Sequence, residues 1–241
     1  MSDSSSVEEH AALQHRVDDL ELLTCRCAHE LQGSLVTIAG YLKGLPEQAR
    51  AGRWPGFDAD FQRVTCLVEQ QRRRLDSVLR LLRSESRSEP AQALSLKALV
   101  QDVVAEFESE CPADHVRVTV GDGALSVRGR PAELRDVLHN LLENAAKFAV
   151  NQEGCVNVEI TFHRAENDLI VRFRDDGPGI PTADRDRVFE PFVRLGTAPS
   201  GSGLGLYLVK RIIAAHHGRV WIEAPASGPG TVVCFTLPVA E

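Results

Sequence analysis

From Val7 to about Leu45 the chain holds no proline, and its apolar residues recur on a heptad. With Val17 at position a, the a/d seam reads Val17, Leu20, Thr24, Cys27, Leu31, Ser34, Ile38, Tyr41 and Leu45. Leu23, Leu35 and Leu42 widen that stripe, which suits a helical bundle better than a strict two-stranded coil. A helix over this run is roughly 58 Å long at ~1.5 Å per residue, and it needs a partner along its stripe. Gly33, Gly40 and Gly44 each weaken it by up to ~1 kcal/mol, so packing rather than propensity must hold it.

A turn rich in Gly44, Pro46, Gly52, Pro55 and Gly56 follows, then a second periodic run: Phe57, Phe61, Val64, Val68, Leu75, Val78 and Leu82. Two antiparallel helices with one apolar face each cannot close a core alone. Two copies can, as a dimeric four-helix bundle. The polar stretch from Ser84 to Ala93 reads as a linker. This gives a tail at 1–12, a helical hairpin at 13–85, a linker at 86–93 and a second domain at 94–241. Within the hairpin His29 occupies heptad position f, opposite the seam, so its phase points it to solvent. Most surface histidines have no role. A metal site from Cys25, Cys27 and His29 fails, because residues two apart on a helix point roughly 200° away from each other.

The chain has 241 residues, and a prior of about 150 per domain allows one or two domains. Its net charge of −7 makes nucleic acid and anionic membranes poor default partners. No apolar run approaches the ~20 residues of a membrane span, and the start lacks a signal-peptide pattern. The six scattered cysteines suit reduced thiols. A soluble, cytoplasmic protein is expected.

From about Leu94 the pattern turns mixed. Helices fit at Leu99–Phe107, at Pro131–Phe148 with proline in the first turn, and at Leu204–His217. Short alternating runs lie at Val116–Val120, Leu125–Val127, Val156–Phe162, Leu169–Phe173, Val220–Ile222 and Val232–Leu237. That order predicts a layered α/β domain with a mixed or antiparallel sheet, not a βαβ chain. The expected fold is therefore α plus α/β: a helical hairpin followed by a two-layer sandwich.

Along Pro131–Phe148, Asn140, Asn144 and Lys147 form one polar stripe opposite Leu134, Leu138, Leu141, Leu142 and Ala145, with Glu143 beside it. A solvated face is the ordinary explanation, but such faces favour Glu, Lys and Arg over asparagine. Two amides and an ammonium in line suit hydrated Mg²⁺ and phosphate oxygens. In the run Leu169–Asp175, period two puts Asp175 on the apolar side, where a carboxylate needs donors. Asp176-Gly177-Pro178-Gly179-Ile180 then turns where a flat ligand could approach; a turn-capping aspartate is the plain alternative. Glycines from Gly201 to Gly205 lead into a helix, an anion site in spacing that is neither Rossmann nor P-loop. The stretch around Phe189–Arg194 looks like a lid.

Four segments in order, NLLENAAKF (Asn140–Phe148), DDGPGI (Asp175–Ile180), FEPF (Phe189–Phe192) and GSGLGL (Gly201–Leu206), closely resemble the N, G1, F and G2 boxes of sensor histidine kinases. Upstream, AHELQGSL (Ala28–Leu35) resembles that family's H box, and the likeness spans about residues 10–238. The resemblance implies that His29 is the phosphoacceptor attacking the γ-phosphate of ATP, with Glu30 as its acid–base neighbour. It makes Asn144 the Mg²⁺ ligand, places Asn140 and Lys147 near the phosphates, and gives Asp175 the adenine amine. Gly177 and Gly179 would admit the base; Gly201, Gly203 and Gly205 would close over the triphosphate. Phe148, Leu204 and the lid residue Arg194 complete the implied nucleotide contacts. It further implies a homodimer, an upstream sensor domain or separate sensor protein, and a response-regulator receiver domain whose aspartate takes the phosphoryl group.

The pattern departs from the family at Ser34, where the H box usually has proline, and at Gly33, where members with phosphatase activity often carry Thr or Asn. Phosphatase activity is thus left open. Arg130 and Phe148 stand where Asp and Tyr are frequent. Two other readings compete: a histidine phosphotransfer or adaptor protein with a vestigial ATP domain, and a conformational ATPase of the same superfamily. The intact boxes argue against the first and the hairpin against the second. With little before Leu13, the expected entity is a transmitter core without its input.

Overall fold

The computed structural model of the chain describes residues 32–33, 35–43, 59, 61–65, 67–68, 71–72, 75, 79, 90–110, 116–123, 126–148, 155–195 and 202–240. Two compact units divide it, Met1–Leu75 and Asp76–Glu241. In the first, residues 35–43 and 61–65 are helical. The seam residues Ile38 and Tyr41 are half-buried, whereas Val36 at position f is 73% exposed. Val64 is buried and Leu67 half-buried on the second stretch, while Phe61, Val68 and Leu75, spaced by seven, are exposed. The a/d seam is thus the better covered part of the described helix, whereas Leu35 and Leu42, expected to widen it, are exposed.

The second unit starts with β1 (Gln92–Ser95), a strand that pairs antiparallel with β3 (Ser126–Gly129). β1 takes in the last two residues of the expected linker, and its apolar residues Ala93 and Leu94 are adjacent, so it shows no alternation. Helix α1 (Leu96–Glu110) is longer than the expected Leu99–Phe107, because Leu96, 1% exposed, extends the stripe by one turn. β2 (Val116–Val120), α2 (Pro131–Phe148), β4 (Val156–Ala165), β5 (Asp168–Asp175), α3 (Gly205–Ala215), β6 (Val220–Glu223) and β7 (Thr231–Pro238) follow. The main sheet has the order β2-β4-β5-β7-β6; β2 runs parallel to β4 and the other neighbours are antiparallel. The sheet is mixed, as expected.

Register explains the core. Ile160, Phe173, Val233 and Ile222 stand opposite one another across four strands, with Phe162, Val171, Phe235 and Val220 in the adjacent row. α2 buries Leu134, Val137, Leu138, Leu141, Leu142 and Ala145 on one stripe, and each large member contributes about 2 kcal/mol by leaving water. Alternation sends Arg172 and Arg174 to the other face, where Arg172 bonds Glu223 at 2.6 Å and the Trp221 indole donates to Glu223 at 2.8 Å. Beside them Cys234 is free and fully buried; burial, reinforced by the Glu223 charge, pushes its thiol up to about 12. Cys155 is a second buried cysteine. The Cys234 thiol stays protonated near neutral pH.

A buried histidine ties α2 to α3. His216 Nε2 accepts the Arg130 N–H at 3.0 Å, and Nδ1 lies 2.8 Å from the Ile212 carbonyl. One nitrogen must accept and the other donate, so the imidazole is neutral. Burial lowers its pKa accordingly. Glu133, 2% exposed, is paired with Arg130 at 2.7 Å in the same joint.

Candidate functional site

The polar stripe of α2 is not a solvated face. Asn140, Asn144, Lys147 and Phe148 are all half-buried, while Glu143 is exposed. Asn140 Nδ2 donates to the Asp136 carbonyl at 2.7 Å, which turns its Oδ1 outward to the start of α3. There, a Cβ placed on Gly205 would stand 3.1 Å from Asn140 Oδ1 and 3.6 Å from Asn144 Nδ2. The first residue of α3 therefore faces both asparagines. The Lys147 ammonium lies 5.0 Å from the Phe148 ring centre.

Asp175 ends β5 in the same cross-strand row as Val158 and Thr231, which explains how a carboxylate comes to lie among core residues. Its Oδ1 accepts the Gly177 N–H at 2.9 Å and the Thr231 N–H at 3.3 Å. Burial raises its pKa above the ordinary carboxylate value and neighbouring Asp176 adds to the rise; the two backbone donors oppose it. A Cβ on Gly177 would meet Asp175 Oδ1 at 2.9 Å and the Phe148 carbonyl at 3.5 Å, so the C-terminal end of α2 borders this turn. Gly179 has φ +81° and packs flat on Gly230, an approach that L side chains oppose.

Gly203 is held against the segment ending in Phe192. The Phe192 N–H donates to the Gly203 carbonyl at 2.9 Å, and a Cβ on Gly203 (φ +70°) would stand 2.8 Å from Phe192 Cα. Phe192 has φ +64°, a conformation costly for an aromatic residue and retained here beside the glycine segment. Leu204 is 1% exposed, so its side chain belongs to the core and only its backbone is left for a ligand. Its N–H donates to Ser202 Oγ at 3.3 Å. Arg194 is exposed. His29, Glu30 and Gly201 lie outside the described residues.

The structure thus brings Asn140 and Asn144 to Gly205, Phe148 to Gly177, and Gly177 to Asp175. One helix borders both glycine segments, and its contacts are spaced by ~12 Å between Asn140 and Phe148 at the helical rise. Thr231 and Gly230 also belong to this site and were not singled out by sequence reasoning. Thr231 contributes its N–H, which any residue but proline carries, so only the pairing of β7 with β5 discloses it. The cluster offers amide oxygens, one ammonium and one half-buried carboxylate. Among the described residues no three His, Cys, Asp or Glu side chains gather to hold a metal ion.

Residues 129–241 match the family described as Histidine kinase-, DNA gyrase B-, and HSP90-like ATPase. Over 96% of its length the chain is 29% identical to the adaptive-response sensory kinase SasA of Synechococcus sp. (strain JA-2-3B'a(2-13)), and it spans 63% of that protein. Among solved structures, full-length ShkA in complex with AMPPNP is similar at a TM-score of 0.58 and 26% identity, over 76% of this chain and 39% of that one. Histidine kinase ThkA, solved with the response regulator protein TrrA, shares the fold over 98% of this chain and 66% of that one, at a TM-score of 0.68 and 21% identity. No described helix is long and apolar enough to cross a membrane.

Proposed function

We propose that this chain is the transmitter core of a sensor histidine kinase, a reading supported by the match of residues 129–241 to the histidine kinase-, DNA gyrase B-, and HSP90-like ATPase family. It phosphorylates His29 from Mg-ATP and passes the phosphoryl group to an aspartate of a response-regulator receiver domain. The observation that carries this reading is the shared wall of α2, with Asn140 and Asn144 on Gly205 at one end and Phe148 on Gly177 at the other. Its length is on the scale of a nucleoside triphosphate.

Asp175 is the acceptor for the exocyclic amine of adenine; guanine would present an oxygen to that carboxylate and be repelled. Asn144 holds Mg²⁺ through its amide oxygen, a hard donor suited to an ion that arrives with phosphates and keeps most of its waters. Asn140 and Lys147 serve the phosphate oxygens, and the glycine segment before α3 offers backbone N–H groups. Bound Mg-ATP supplies an activated γ-phosphoryl group. The neutral imidazole nitrogen of His29 attacks the phosphorus as its bond to the β–γ bridging oxygen breaks, ADP leaves, and Glu30 takes the proton the ring releases. Val36, seven residues after His29 in sequence and in the same expected heptad position, is 73% exposed, which supports an outward-facing histidine.

The exposed Val68 and Leu75, spaced by seven, support a homodimer through the helical unit. The likeness to ThkA, crystallised with TrrA, supports a receiver-domain partner. Input comes from a sensor region or a separate sensor protein, in a cytoplasmic setting that offers Mg-ATP. Calorimetric titration of the full chain with Mg-ATP tests the pocket. Saturable binding is expected, and Asp175→Asn should abolish it with the circular dichroism unchanged. A wild-type chain without measurable affinity contradicts the kinase reading and favours a phosphotransfer adaptor with a vestigial pocket.

A further inference from the structure

The antiparallel ladder between β4 and β5 ends with Val158 opposite Asp175. One residue further, a side chain takes over from the backbone. The Asn157 N–H donates to Asp176 Oδ1 at 2.9 Å, and Asn157 Nδ2 donates to Asp176 Oδ2 at 2.7 Å. One carboxylate thereby takes both donors of one residue, in the two-point geometry that fixes orientation as well as distance. Because the carboxylate satisfies the Asn157 N–H, the backbone of residue 176 leaves the ladder and turns at once toward Gly177.

Little slack surrounds this turn. Gly230 packs against it so closely that a Cβ there would collide with the Asp175 carbonyl and stand 3.1 Å from Asp176 Cα. Directly beyond, the Gly177 N–H is the donor that holds Asp175 Oδ1. Asp176 is thus the joint between a fixed strand and the residues that face the ligand on either side of it.

We infer that Asp176 is a positioning residue for the nucleotide base: clamped on Asn157, it sets the turn from which Asp175 and the Gly177 N–H are presented. This rests on the reading of Asp175 as the adenine acceptor. Losing the clamp lets the turn relax and spoils the alignment of Asp175, while the phosphate end at Asn140, Asn144 and Gly205 is untouched. The effect therefore falls on base recognition.

Equilibrium binding of Mg-ATP and Mg-GTP to the full chain tests this, with melting temperatures measured alongside. Asp176→Ala should weaken ATP about tenfold and leave GTP within about twofold of wild type, so discrimination between the two falls. Asn157→Ala, which removes one of the two bonds, should cost ATP about threefold. Asp176→Asn, which keeps an oxygen for the Asn157 N–H, should recover most of the loss. Simple destabilisation lowers both nucleotides together and leaves their ratio at the wild-type value. An unchanged ratio in Asp176→Ala and Asn157→Ala, with Asp175→Asn still abolishing ATP binding, overturns the inference. Undiminished ATP binding by Asp175→Asn overturns instead the adenine reading on which it rests.

Discussion

Asp175 illustrates what a carboxylate among core residues costs the protein that carries it. Its carboxylate lies in a row of core residues with two backbone donors, yet burial still outweighs them and raises its pKa. A folded-state pKa above the unfolded one means the native chain holds this proton more firmly. Its stabilising contribution is therefore present below the unfolded value and is lost as pH rises through the raised value; at neutral pH the charge is a net cost. Asp175→Asn keeps an oxygen for the Gly177 and Thr231 N–H groups and removes the charge. The nucleotide-free variant should melt at or above wild type at neutral pH, with the gap closing as pH falls toward acid and with no shift on adding Mg-ATP. A variant that melts clearly below wild type at neutral pH, with wild-type secondary structure, contradicts this account. His216 runs with the opposite sign: its depressed pKa makes its contribution full above the ordinary histidine value and lost as pH falls through the folded one.

At the scale of elements, the helical unit leaves apolar surface uncovered in register. Phe61, Val68 and Leu75 recur every seven residues, and Leu35 and Leu42 do the same. These side chains are already about half covered, so complete burial would gain each about 1 kcal/mol, which a second copy could supply. Sedimentation of the full chain should show a dimer, and Phe61→Glu with Val68→Glu should shift it to monomer while Mg-ATP binding persists. A wild-type chain that sediments as a monomer contradicts the pairing. The elements themselves were unequally legible. α2 follows its proline and its apolar stripe residue for residue, because local geometry and burial agree along its whole length. β1 did not show, since a four-residue strand with Ala93 and Leu94 side by side carries no alternation to read. The parallel pairing of β2 with β4 has no local signature either, because it depends on a partner strand distant in sequence.

The whole molecule divides at Leu75–Asp76 into a helical unit and a unit that carries the sheet, a boundary that falls inside the hairpin expected at 13–85. Side chains with an unusual setting were the legible part of the site: asparagines on a helix face, an aspartate in an apolar register, glycines ahead of a helix. What the backbone contributes was not, as Thr231 donating to Asp175 and Asp176 clamping Asn157 through its main chain both show. In the proposed reaction both units take part, since ATP bound at Asn140, Asn144 and Asp175 would phosphorylate His29 of the other unit. Incubation of the full chain with γ-labelled ATP and Mg²⁺ tests it most directly. The account expects label on the protein that survives alkali, is lost in acid, and is absent from His29→Gln. Steady phosphate release with no label on the wild-type chain, or label that persists in His29→Gln, contradicts it.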